Sequence, residues 1–398
     1  MKKVRLGDIA TVITKGTTPT TLGYDFVDDG VNFVKIESIT ENGEFLTDKF
    51  AHITDECDRK LSRSQLQRND LLFSIAGAIG RTAIVTEEIL PANTNQALAI
   101  IRVPEGEVDY SYLKYVLQSP DIVEQFEKKK QGVAQLNISL KDISDFVIPL
   151  RTAEEQKSIV STMDKVSDLI TLRKEQLAKL DQLVKSRFIE LFGDPMTNPM
   201  RWDKVNISAV VGGKVSNGFF AKRDDYCADG NVKVLGVAHV VNRMYSNTEG
   251  LPKTNGTEAD VAKYGVKYGD MLFCRSSLVA AGIGKASIVP KGVPSNVLFE
   301  CHVIRLPLDL TKCVPEFMQV LSTTEFFRSQ VIAQSKTATM TTIGQDGILK
   351  TDIILPPLKK QKQFLQFVEQ NDKSKLAIQA SLEKLETLKK SLMQEYFG

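Results

Sequence analysis

Long hydrophobic runs are missing from this 398-residue sequence. No apolar stretch approaches the roughly 18 residues that a membrane-crossing helix needs, so no membrane span is expected. Cysteine is scarce. The five thiols (Cys57, Cys227, Cys274, Cys301 and Cys313) form an odd, scattered set without a C-x-x-C pair, which argues against a disulfide framework and for reduced, mostly buried thiols. The opening string Met1-Lys2-Lys3-Val4-Arg5-Leu6-Gly7-Asp8 lacks the apolar stretch of a secretory signal, so the expected compartment is the cytoplasm.

Catalytic signatures are missing too. The nearest approach to a G-x-x-x-x-G-K-[ST] phosphate cradle, Gly282-Ile283-Gly284-Lys285-Ala286, lacks the first glycine and the hydroxyl residue and reads as a turn between strands. His52, His239 and His302 are far apart, no H-E-x-x-H occurs, and no metal is expected. There is no G-x-S-x-G elbow. Pro120-Asp121 followed by Glu127-Lys128-Lys129 looks like a nuclease string. On one helix, however, that spacing puts the two carboxylates about 240° apart around the axis, where they cannot share an ion. No Asn-Pro-Pro-aromatic string of the amino-methyltransferase kind is present, since Asn198-Pro199-Met200 does not qualify. The chain reads as non-catalytic on its own.

A dominant charge is also absent, with 51 Lys+Arg against 49 Asp+Glu. The balance is uneven along the chain. Residues 1–150 carry 17 basic against 22 acidic side chains, and residues 198–357 carry 18 against 14. Nucleic-acid binding would therefore have to come from local patches.

What the sequence does contain is a duplication. Leu177–Gly193 (LAKLDQLVKSRFIELFG) and Leu382–Gly398 (LEKLETLKKSLMQEYFG) are identical at nine of 17 positions, at a constant offset of 205. Gln156-Lys157 faces Gln361-Lys362 at the same offset. Upstream, Asn69-Asp70-Leu71-Leu72-Phe73 echoes Gly269-Asp270-Met271-Leu272-Phe273, and Ile101-Arg102-Val103-Pro104 echoes Ile304-Arg305-Leu306-Pro307. The layout is globule (1–150), segment (151–193), globule (198–357), segment (358–398).

The segments read as long helices with a coiled-coil seam. Ile159, Met163, Val166, Ile170, Leu177, Leu180, Val184 and Leu191 follow alternating steps of four and three, interrupted by Arg173 and Arg187. In the second segment the seam is Phe364, Val368, Ile378, Leu382, Leu385, Leu392 and Tyr396, broken at Asn371, Lys375 and Lys389. The globules show short β-branched runs such as Val31–Ile36, Leu71–Ile75 and Val303–Leu306, separated by turn residues, with one late helical stretch each, about 112–130 and 315–334. The expected fold is α/β (α+β): two globules with mixed sheets, joined by two long antiparallel helices. A helix over 152–192 spans roughly 60 Å at about 1.5 Å per residue, so one globule is expected at each end.

This arrangement resembles the specificity subunits of type I restriction–modification systems. The likeness rests on two start strings (Val4-Arg5-Leu6-Gly7-Asp8-Ile9; Trp202-Asp203-Lys204-Val205), on Glu154-Glu155-Gln156-Lys157 or Lys359-Lys360-Gln361-Lys362 after an Ile/Leu-Pro step, and on closing Leu191-Phe192-Gly193 or Tyr396-Phe397-Gly398. The resemblance implies two target recognition domains that each read half of a bipartite double-stranded DNA site. It implies helices that act as a ruler and dock two methyltransferase subunits, together with a separate restriction subunit. S-adenosylmethionine, ATP and Mg are then expected on those partners and none on this chain. The seam-distal helix faces, with the Phe-Gly ends, are the expected docking surface, and Arg173, Arg187 and Lys389 could fix the register.

Base reading needs donors and acceptors carried on loops. Candidates in the first globule are Lys15, Thr17 and Thr18, Arg81, and Gln135 and Asn137 within 131–137. In the second they are Lys222 and Arg223, Arg275 and Ser276, and Lys336 and Thr339 within 336–342. The competing reading is a non-catalytic scaffold whose two globules bind proteins.

Overall fold

The computed structural model describes residues 2–128 and 137–398. The chain divides into two compact units, Met1–Lys174 with Ala380–Gly398, and Glu175–Gln379. Two 40-residue helices, Ala153–Phe192 and Leu358–Phe397, run through this division. Each unit therefore contains a globule, the start of the helix that follows it, and the end of the other long helix.

The globules share one topology. In the first unit a four-stranded antiparallel sheet has the order Val12–Lys15, Leu98–Arg102, Leu71–Ser74, Thr82–Ile84. A three-stranded sheet sets Val31–Val34 between antiparallel Ala51–Ile53 and parallel Ala92–Thr94, which makes it mixed. The second unit repeats both. Ser216–Asn217, Val303–Pro307, Asp270–Cys274 and Ala286–Ile288 form the larger sheet, and Lys253–Thr254, Val232–Leu235 and Val297–Phe299 the smaller. The start string of each globule pairs with the strand that leads into its long helix, Lys2–Arg5 with Val147–Leu150 and Lys204–Asn206 with Asp352–Ile354. The ends of each globule are thereby tied together at the helix entrance.

The single late helix expected in each globule is in fact a pair: Tyr110–Leu117 and Pro120–Glu127, then Pro315–Ser322 and Glu325–Ala333. In the first pair Ser119 caps the new helix by accepting the Ile122 N–H, and Pro120 at the first helical position supplies no N–H to continue the old one. In the second, Thr323 and Thr324 return their hydroxyls to the carbonyls of Val320 and Leu321, and the chain turns there.

The repeated glutamine has a structural cause. Gln156 is buried, accepts the Asp109 N–H at 2.8 Å and donates to the Arg151 carbonyl at 2.9 Å. Gln361 is buried in the same way, accepts the Val314 N–H at 2.8 Å and donates to the Pro356 carbonyl at 2.8 Å. Each fastens the first turn of a long helix to the start of its globule's helix pair.

Within each unit the long-helix segments run antiparallel. In the first, Arg151 donates to the Tyr396 carbonyl at 2.9 Å and Arg173 to the Ser381 hydroxyl at 3.2 Å. In the second, Lys375 pairs with Asp181, and Phe188 meets Phe364 at 5.7 Å between ring centroids. Of the seam residues, Ile159, Met163, Val166, Ile170, Val184, Phe364, Val368 and Leu382 are buried, while Leu177, Leu180, Leu191, Ile378, Leu385 and Leu392 are half-buried. At the helix ends the buried stripe moves one residue on, to Phe188 and Phe192 and to Met393 and Phe397. There the helix packs on a globule as well as on its partner.

That shift corrects one expectation. Phe192 and Phe397 do not belong to an exposed docking surface. Phe192 packs on Phe317 at 4.8 Å and Phe397 on Tyr112 at 5.5 Å, each inside a globule's core. Cutting such a buried phenylalanine back to alanine costs about 3–5 kcal/mol. F397A is therefore expected to lower the melting transition of the first globule, seen as early amide exchange in residues 98–117, while residues 232–321 keep their protection.

One buried acid faces no cation at hydrogen-bond distance. Glu316 Oε1 accepts from the Tyr245 and Tyr268 hydroxyls at 3.2 Å each, and Oε2 is buried with no hydrogen-bond partner among the described residues. Burial pushes its carboxyl above the ordinary range, against the smaller opposing pull of its hydrogen bonds and of Lys291. A raised folded-state value means that the site is unstrained below the unfolded value of about 4.3 and loses stability as pH rises through the folded one. E316Q should therefore melt higher than the parent at pH 7–8, with the gap closing as the buffer is taken down towards pH 4.5. A constant gap across a set of thermal melts would show that ionisation is not the cause.

Candidate nucleic-acid interface

In the first unit the chain crosses itself at the turn Asn95–Leu98. Gly16 donates its N–H to the Asn95 carbonyl at 3.2 Å, and the Thr18 hydroxyl donates to Gln96 Oε1 at 2.5 Å. The crossing is so close that a Cβ on Gly16 would lie 1.7 Å from the Thr94 carbonyl oxygen, so only glycine fits. Ile75 donates to the Ala97 carbonyl at 2.9 Å and accepts the Ile138 N–H at 3.1 Å, while Asn137 bridges Ala76. The segments that hold Lys15–Thr18, Gly80-Arg81 and Asn137 thus meet at one turn. Gln135 lies outside the described residues.

The second unit repeats this at Glu300–Val303. Phe219 donates to the Phe299 carbonyl at 2.7 Å, and a Cβ on Gly218 would lie 2.2 Å from the Phe299 and Glu300 carbonyl oxygens. Arg275 donates its N–H to the His302 carbonyl at 2.8 Å and accepts from Ile343 at 3.0 Å. The three candidate loops of this globule, 218–223, 275–277 and 336–342, converge as the first three do. Two of them also pair directly: Ser276–Ser277, Thr341–Thr342 and Lys336–Thr337 form a small antiparallel sheet.

The candidates hold different positions at these clusters. Lys15, Asn137, Lys222, Arg223, Lys336 and Thr339 are exposed, and Thr17 and Thr18 are half-buried. Ser276 Oγ lies 3.3 Å from His302 Nδ1. Two arginines are engaged with backbone. Arg81 Nη1 donates to the Ile36 and Ile39 carbonyls at 3.2 and 2.7 Å, and Arg275 Nη1 to the Cys301 carbonyl at 3.1 Å. The hubs themselves, Asn95–Leu98 and Glu300–Val303, were missed from sequence. The two turns stand 205 residues apart but share no residue, and the neighbouring echoes run at offsets of 200 and 203, so no sequence signal marked them.

The scaffold is the same and the tips are not. Gly80 N–H closes on the Ser74 carbonyl across six residues, whereas Gly284 closes on Cys274 across ten. The longer tip carries Ser276-Ser277 and the exposed apolar pair Leu278 and Val279, 83% and 63% accessible. Phe220 on the neighbouring loop is 68% accessible. Hydroxyls, lysines, an imidazole and exposed apolar side chains on loop tips can contact phosphates, base edges and thymine methyls. Among the described residues no group of three or more His, Cys, Asp or Glu is placed to hold a metal ion.

A family model described as the type I restriction modification DNA specificity domain matches residues 1–182 and again 199–389. The chain belongs to this family. Similar curated proteins are specificity subunits. The type I restriction enzyme EcoBI specificity subunit of Escherichia coli is 29% identical over 194 residues, 47% of this chain and 40% of that protein. The StySPI specificity subunit of Salmonella potsdam is 24% identical over 316 residues, 74% of this chain and 66% of that protein. The chain thus spans less than two thirds of either relative's length. A chain from a solved type I R-M system, a study of complex assembly and conformational transition, has the same fold. It superposes with a TM-score of 0.59 at 18% identity, covering 99% of this chain and 96% of that one. Each family match covers one globule and most of the long helix that follows it.

The bonding at the clusters separates structural from surface candidates within this specificity domain. Losing a charged hydrogen-bond donor to buried carbonyls costs about 1.5–3 kcal/mol, whereas an exposed side chain away from such contacts changes stability by about 0.5 kcal/mol or less. R81A should lower the melting temperature measurably and K336A should leave it within a degree or so.

Proposed function

We propose that this chain is the DNA-reading subunit of a type I restriction–modification complex. Each globule reads one half of a bipartite double-stranded site through its loop cluster. The paired helices set the gap between the half-sites and offer a surface to two methyltransferase subunits. A restriction subunit completes the assembly. The chain supplies no catalytic group. S-adenosylmethionine, ATP and Mg belong to the partner subunits, and the complex works in the cytoplasm, in keeping with the lack of any helix long and apolar enough to cross a membrane among the described residues.

One observation carries this reading. Two clusters share a pair of backbone hydrogen bonds at the Asn95–Leu98 and Glu300–Val303 hubs, Ile75 to Ala97 with Ile138 to Ile75 and Arg275 to His302 with Ile343 to Arg275, but have tips of different length and chemistry. A pair of like scaffolds with unlike tips suits a site whose halves differ in sequence. Family membership supports the same reading, since the matching model is named for DNA specificity.

The proposal is modular and can be tested as such. Replacing residues 198–357 with the equivalent globule of a relative should change one half of the methylated motif and leave the other half and the cognate methyltransferase unchanged. Methylated-base sequencing of genomic DNA with the parent and the exchanged gene reads this directly. If both halves change together, or neither does, the globules are not independent readers.

A further inference from the structure

In each unit a cleft opens between the long-helix segments and the globule. In the second it holds about 450 Å³ and is lined by Asp181 and Lys185 of the first long helix, Lys375 of the second, and Asn242, Lys285 and Arg328 of the globule. In the first it holds about 500 Å³ and is lined by Asn42 of the globule, Lys174 of the first long helix, and Glu386, Lys389 and Lys390 of the second. The two clefts are copies within the repeat: Asp181 and Glu386 differ by the offset of 205, as do Lys185 and Lys390.

The charge is unbalanced in the same direction in both. The acid is neutralised by a lysine of the other helix, Lys375 on Asp181 at 2.5 Å and Lys174 on Glu386 at 3.8 Å. Lys185 and Lys390 are exposed and pair with no carboxylate among the described residues. In the second cleft Arg328 donates Nη2 to the Ala281 carbonyl at 3.1 Å, and its Nη1 is buried with no hydrogen-bond partner among the described residues. In the first, burial depresses the half-buried Lys389 ammonium, and the charges of Lys114 and Lys174 add to this. An unmet guanidinium donor and a crowded ammonium are both costly without an anion.

We propose that each cleft holds a backbone phosphate of the duplex, beside the half-site read by the same unit, with Lys185 and Lys390 as its repeated cationic ligands. This rests on the DNA-reading function proposed above and adds to it an anchor that is indifferent to sequence. Two features favour a phosphate over an acidic protein segment. The second cleft adjoins the reading loops, because the Lys285 carbonyl accepts the Cys274 N–H at the base of the hairpin that carries Ser276-Ser277 and Arg328 holds Ala281 on that hairpin. The clefts also share the repeated lysine while the globule side chains that line them differ, Asn42 and Pro120 in one and Asn242, Lys285 and Arg328 in the other, which fits a uniform backbone better than a segment recognised by its side chains. Lysine suits such a site as a point charge.

The test measures duplex binding by the full chain with its methyltransferase subunits, using fluorescence anisotropy of a labelled duplex from 50 to about 200 mM salt. K185A and K390A should each weaken binding and lower the slope of log K against log salt by about one, and the double variant by about two, at about 0.9 per phosphate. K185R and K390R should restore the slope, and melting temperatures and the methylated motif should match the parent. Unchanged affinity and slope would overturn the proposal. If the variants then lost the methyltransferase on sizing, the occupant would be an acidic protein segment. A changed motif would equally overturn it, by making the cleft part of base reading. If the parent complex binds no duplex at all, the function proposed above fails, and the cleft proposal with it.

Discussion

Each globule's core is closed by an aromatic side chain from a helix end that is distant in sequence. Phe397 reaches Tyr112 across 285 positions, and Phe192 packs among Phe188, Phe317 and Phe364. This exchange is the constraint on which the rest of the architecture depends. The first unit is assembled from two separate stretches of chain, Met1–Lys174 and Ala380–Gly398, whereas the second is continuous, Glu175–Gln379. The first globule is incomplete until the last helix has been made, and the second borrows the end of the helix that follows the first. A duplication that kept only one copy of this contact would leave an apolar pocket open in one globule. The nine identities over 17 residues at the two helix ends are therefore understandable as packing demands, quite apart from any partner.

That constraint also explains where the two halves are free to differ. The buried Gln156 and Gln361, the strands that tie each globule's ends together, and the hub turns all serve to hold a globule on its helices. The loop tips carry none of these duties. Across the hub two backbone hydrogen bonds recur, Ile75 to Ala97 as Arg275 to His302 and Ile138 to Ile75 as Ile343 to Arg275, yet one hairpin closes over six residues and the other over ten. Rigid placement of variable tips is what a recognition module requires, because a side chain on a wandering loop cannot hold a two-point contact to a base edge.

Much of this was legible in the sequence. The repeat offset, the heptad steps from Ile159 to Val184 and the Gly193 stop followed from residue spacing alone, and the six loops were singled out from their composition. What could not be read had specific physical causes. The one-residue drift of the buried stripe to Phe188 and Phe192 comes from a third surface, the globule, which a two-helix pattern does not encode. The division of each late helical stretch turned on the Ser119 cap with Pro120 and on the Thr323 and Thr324 hydroxyls that bond back to the preceding turn, and these outweighed the apolar periodicity on either side. Nothing local reveals that Ile36 and Ile39, more than 40 residues away, present their carbonyls to Arg81.

The charge arithmetic shows the same division between local and assembled properties. A chain with nearly equal numbers of acids and bases gives no sign of a polyanion site. Folding creates one by pairing the acids selectively. Asp181 and Glu386 sit one helical turn before Lys185 and Lys390, where an intrahelical pair would normally cancel both charges. Instead each acid lies beside a lysine of the opposite helix, Lys375 or Lys174, and its own helix's lysine stays without a carboxylate partner among the described residues. A neutral first helix and a second with 8 basic against 5 acidic side chains thus each expose a positive side chain at the same repeat position. Antiparallel pairing, first required by the aromatic closure, is also what makes the clefts basic.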